Sequence, residues 1–84
     1  MLKKHELEGL EKHYGCLAKA GDDEPLFILR AQDVLAPRCV ELWASLLEVA
    51  AVENGTLAER QGKIDEARRT ATMMKQWPLR KLPD

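Results

Sequence analysis

Two long helix-forming stretches with almost nothing between them constrain this chain most. Asn54-Gly55 is a helix stop, because glycine readily takes the left-handed conformation that closes a helix. Thr56-Leu57-Ala58-Glu59 follows at once and matches the capping box, a hydroxyl residue with an acid three positions on. Only about two residues are left for the connection, so the flanking helices must run antiparallel as a hairpin. The first should start at Asp33 as N-cap, with Val34, Leu35 and Ala36 as its first positions. Pro37 then lies in the first turn, where its missing N–H costs little. This helix should reach about Glu53. The second should run from Thr56 to about Trp77, where Pro78 stops it.

The first of these helices is apolar over too wide an arc for one partner. Leu35, Cys39, Leu42, Leu46 and Val49 form one face, and Val40, Trp43, Leu47 and Ala50 form a neighbouring one. Such a helix is central or covered from two sides. The second presents Leu57, Ile64, Ala67, Ala71 and Met74, a face thin in large side chains that allows close approach.

Upstream, Leu7, Leu10, Tyr14 and Leu17 fall on one stripe and predict an amphipathic helix over residues 3–20. Gly9 and Gly15 weaken it by up to about 1 kcal/mol each relative to alanine. It should therefore need a partner surface and cover part of the hairpin. Gly21-Asp22-Asp23-Glu24-Pro25 ends it. Leu26-Phe27-Ile28-Leu29-Arg30 is a short apolar run that fits either a buried strand or a helical turn beginning at Pro25 and capped by Asp23. As a strand it would need a mate, most simply a symmetry-related copy. The expected fold is mostly α: a small three-helix domain over residues 1–84, with the hairpin and one short apolar strand or helical turn at about 26–30. Residues 77–84 form a basic tail, flexible or ordered only at its start.

Composition narrows the function classes. Eighty-four residues are few for an enzyme with its own cleft. Such a small domain has a marginal core and commonly gains from oligomerisation. Thirteen Lys/Arg against fourteen Asp/Glu give a net charge of -1, which removes net charge as an argument for nucleic acid. No apolar run approaches the roughly 20 residues of a membrane span. Two cysteines cannot make a disulfide framework. The opening residues are charged and lack a signal peptide's apolar stretch, so a cytoplasmic protein with reduced thiols is expected.

No catalytic, metal or cofactor motif is complete. His5-Glu6 begins the zinc helix pattern H-E-x-x-H, but position 9 is Gly9. His13, Cys16 and Cys39 lack a recognised ligand spacing. Ser45 has no nucleophile elbow, and Gly62-Lys63 lacks the earlier glycine of a phosphate loop. No enzyme is expected.

Charge placement is more informative than its total. Residues 63–81 carry six basic and two acidic side chains. They could be a solvated helix face, or a site for a nucleotide, a phosphate or an acidic partner. Arg68 and Arg69 from this stretch, with Arg30 and Arg38, are the candidate anion-binding residues. Arg30 has the competing role of a salt bridge to Asp33 or to a carboxylate on another helix. Phe27, Ile28, Val40, Trp43 and Leu47 are the candidate oligomer interface, with core packing as the competing role.

Glu24-Pro25-Leu26-Phe27-Ile28-Leu29-Arg30-Ala31-Gln32-Asp33, then Ala36-Pro37, Trp43-Ala44 and Met74 with Trp77, make up a longer pattern. It resembles that of small bacterial and phage proteins of unassigned function: E-P-x-F-x-L-R-A-Q-D-x-x-A-P, then W-A, then M-x-x-W. The resemblance covers residues 24–84, ending on Pro83-Asp84. It implies a phage or prophage origin and assigns no site residue. The expectation is a small, self-associating, non-enzymatic binding protein that sequesters an anionic molecule such as a nucleotide signal of host defence. The competing expectation is an inhibitor or adaptor that docks a host protein and has no ligand pocket.

Overall fold

The computed structural model describes residues 2–82. It is mostly helical: α1 (Lys3–Lys12), α2 (Gly15–Lys19), α3 (Ala36–Glu53) and α4 (Leu57–Lys75). Helices α3 and α4 pack along their lengths as the expected antiparallel hairpin.

The turn between them works through its backbone. Gly55 has φ of 68°. Thr56 N–H donates to Ala51 O at 2.8 Å and Gly55 N–H to Val52 O at 3.2 Å. This pair of bonds is the Schellman closure, which satisfies carbonyls that the helix end would leave open. The capping box does not form, since the Thr56 side chain makes no cap hydrogen bond. Its backbone carbonyl instead accepts from Arg60 N–H, the first turn of α4.

The hairpin core is made largely of alanine. Ala36, Ala44 and Ala51 of α3 are buried against Ile64 and Ala71 of α4. Ala44 and Ala51 lie seven residues apart, as do Ile64 and Ala71, so each pair stays on one side of its helix. Small side chains there let the backbones approach closely. The expected thin inner face of α4 is present. The matching thin face of α3 is not either of the apolar faces picked out by its large residues.

Helix α3 starts at Ala36, two residues later than expected. Asp33 still caps, two positions upstream: its Oδ1 accepts from Leu35 N–H at 2.8 Å, and its carbonyl from Ala36 N–H at 3.0 Å. The segment expected as one helix over 3–20 breaks in two. His13 takes φ of 63° and closes α1, with Tyr14 N–H bonded to Gly9 O at 2.7 Å. Gly9 is buried because the chain folds back on it, and a Cβ there would collide with the Tyr14 carbonyl oxygen. Helices α1 and α2 pack on each other, and neither packs on α3 or α4 as an element. The expectation that the first helix covers the hairpin is therefore not met.

Residues 24–30 are irregular, neither strand nor helical turn. Phe27 and Ile28 are 87% and 73% exposed, so burial does not impose either regular form. The only β-type pairing among the described residues is a single parallel bridge between Asp33 and Lys81. It ties the C-terminal segment to the turn before α3: Val34 N–H donates to Lys81 O at 2.9 Å and Lys81 N–H to Gln32 O at 2.6 Å. Arg80 adds a bond to Val34 O at 3.3 Å and another to Met74 O. The expected tail is thus hydrogen-bonded through Lys81, while Pro83 and Asp84 lie outside the described residues.

Candidate functional site

One stripe of large apolar side chains on α3 lies on the side away from α4. Leu42 precedes Ala44 by two residues and Leu46 follows it by two. At about 100° per residue, both point roughly opposite to the buried alanine. They are 60% and 61% exposed, and Val49 is 56% exposed. Leu35 and Cys39 extend the same stripe, also exposed. Helix α3 therefore buries Ala36, Ala44 and Ala51 and opens Leu42, Leu46 and Val49 to solvent, where an apolar stripe along a helix is a mark of an interaction surface.

The stripe continues around one flank. A largely apolar cavity of about 470 Å³ includes Cys39, Val40 and Trp43 of α3, Phe27 and Leu29 from the irregular segment, and Met74 of α4. Cys39 belongs to both surfaces. Of the predicted interface residues, Phe27, Ile28 and Trp43 are exposed, while Val40 and Leu47 are half-buried.

The four predicted anion-binding arginines are not gathered into one site. Arg68 reaches across the hairpin and donates to both carboxylate oxygens of Glu48, at 3.1 and 3.3 Å. That hydrogen bond raises the Arg68 pKa further, so the guanidinium is firmly charged but engaged. Arg69 joins it only in lining a cavity of about 370 Å³ with Thr72 and Met73. Arg30 and Arg38 line neither cavity and are exposed. The expected Arg30–Asp33 pair is not formed, because the Asp33 carboxylate is turned to Leu35 N–H. Two more members of the basic stretch are committed structurally: Lys75 pairs with Glu41, and Arg80 holds backbone carbonyls.

No group of three or more His, Cys, Asp or Glu among the described residues could hold a metal ion. No helix among them is long and apolar enough to cross a membrane. Near the α1–α2 corner, withdrawal from water and then the Glu8 and Glu6 carboxylates push the Tyr14 hydroxyl above its usual range.

No protein-family model, curated protein or solved structure matches this chain.

Two features escaped the sequence. The alanine face of α3 was hidden behind its larger neighbours, although the seven-residue spacing of Ala44 and Ala51 was a usable signal. The Glu48–Arg68 clasp joins residues twenty apart and has no local pattern. Once the helices are known to be antiparallel, the match of Glu41 and Glu48 to Lys75 and Arg68 follows from their spacing.

Proposed function

We propose that this protein is a non-enzymatic binding protein that works by docking a protein helix on the open stripe of α3. The observation that supports this is the placement of Leu42, Leu46 and Val49 opposite the buried Ala44, with no helix among the described residues other than α4 packed on α3. An apolar face presented at helical spacing takes another apolar helix by side-chain interlocking. A phage or prophage origin, which the sequence pattern suggests, would make a host protein the natural target of an inhibitor or adaptor of this size.

The test compares capture by the tagged full chain with capture by two variants. Leu46→Lys places a charge in the stripe, and Met73→Lys places one on the exposed side of α4. Specific capture should be lost with Leu46→Lys and kept with Met73→Lys. Equal capture by all three would overturn the assignment to α3.

A second function, sequestering an anionic small molecule, is favoured by Arg30, Arg38 and Arg69, for which no ion pair forms among the described residues. Thermal unfolding with cyclic and linear nucleotides tests it. A ligand at 100 times its dissociation constant adds about 2.7 kcal/mol. No shift with any nucleotide removes this function.

A further inference from the structure

We propose that the helix docked on the α3 stripe is α3 of a second copy of this chain, laid antiparallel to the first. This rests on the stripe being a docking surface and names its occupant. Leu35, Cys39, Leu42, Leu46 and Val49 are spaced by four, three, four and three residues. That alternation is the 3.5-residue repeat of a coiled-coil seam, which needs a partner helix carrying the same repeat. A second α3 carries it by definition.

The charges select the copy and its direction. Arg38 flanks the start of the stripe and Glu53 closes its end, both exposed and neither in an ion pair among the described residues. The other two acids of α3 are turned to the hairpin, where Glu41 meets Lys75 and Glu48 meets Arg68. The open face therefore has a cation at one end, an acid at the other and only uncharged residues along the seam between them. Two such faces match when they run antiparallel, since Arg38 of each copy then approaches Glu53 of the partner subunit, twice per dimer. A parallel pair would set Arg38 on Arg38 and Glu53 on Glu53. The antiparallel arrangement also layers Leu42 on Leu46 of the partner subunit. Helix α4 lies on the opposite side at Ala44 and Ala51, so it does not obstruct the approach.

The test is the solution mass of the full chain by light scattering over micromolar to millimolar concentration, with charge reversals. The wild type should approach twice the 9.5 kDa chain mass. Arg38→Glu and Glu53→Arg should each weaken dimerisation about tenfold, because each turns two exposed attractions into repulsions. The double variant Arg38→Glu/Glu53→Arg should regain wild-type affinity, a recovery that a parallel pair would not give. Leu46→Lys should be monomeric and Met73→Lys dimeric. Both positions are exposed in the single chain, and circular dichroism confirms that each variant is folded. A wild-type monomer at millimolar concentration overturns the proposal. So does a dimer that survives Leu46→Lys, or one in which the charge reversals do not rescue each other. A wild-type monomer that still captures a protein in a Leu46-dependent way overturns only the second copy and leaves the docking surface standing. A Leu46-independent dimer with no Leu46-dependent capture overturns both.

Discussion

Arg68 of α4 holds Glu48 of α3 with both terminal guanidinium nitrogens, at 3.1 and 3.3 Å, across the open rim of the hairpin. Both side chains are more than a third exposed, so water screens the attraction. A double-mutant cycle with Arg68→Ala and Glu48→Ala should give a coupling of about 0.5–1 kcal/mol in urea unfolding. The coupling should shrink as salt is raised. A coupling near zero at low salt would mean that the clasp does not persist in solution.

The alanine face should tolerate no enlargement. Ala44 is fully buried against α4. Ala44→Leu should destabilise by about 1–3 kcal/mol, because the added carbons must push the helices apart or adopt strained rotamers. Leu42→Ala, on the opposite side, should change the stability of the isolated chain by less than about 1 kcal/mol, since Leu42 is already mostly exposed. Chemical denaturation of both variants at dilute protein concentration checks the contrast. Equal losses would contradict the assignment of the two sides.

Gly55 is required for its backbone angle alone. Nothing lies within 4 Å of where its Cβ would stand, so a methyl group has room, but φ of 68° remains unfavourable for it. Gly55→Ala should cost about 1 kcal/mol, read from the urea midpoint. No change would show that the turn can close another way.

At the α1–α2 corner, helix propensity and tertiary structure disagree. Propensity alone predicts that Gly9→Ala strengthens α1 by about 1 kcal/mol. The collision with the Tyr14 carbonyl predicts the reverse sign, with loss of the corner. His13→Gly should instead stabilise by about 0.5–1 kcal/mol by relieving a non-glycine residue at positive φ. Amide hydrogen exchange across residues 3–19 reads both effects, and faster exchange in His13→Gly would count against the corner.

These positions show which parts of the fold were legible. The hairpin was readable because Gly55 acts locally: its positive φ is an intrinsic property, and it closes α3 even though the Thr56 side chain does not cap α4. The α1–α2 break was not readable, since Leu7, Leu10, Tyr14 and Leu17 keep helical spacing through a turn fixed by the fold-back onto Gly9. The irregular state of residues 26–30 was equally hidden, because an apolar run implies burial, whereas Leu26, Phe27 and Ile28 are exposed and only Leu29 is half-buried. For the site, Trp43 and Phe27 sit at core-like spacing in the sequence, yet both are exposed, 47% and 87%. The bond of Arg68 to Glu48 was not legible, because the two residues are distant in sequence.

The central claim is that the leucine stripe of α3 is the surface that meets a partner helix, and that a second copy supplies it. Dilution of methyl-labelled protein followed by NMR tests this most directly. The methyl resonances of Leu42, Leu46 and Val49 should shift with concentration, while those of Met73 and the buried Ala44 should hold nearly constant. Shifts confined to α4, or none at all up to millimolar concentration, would contradict it.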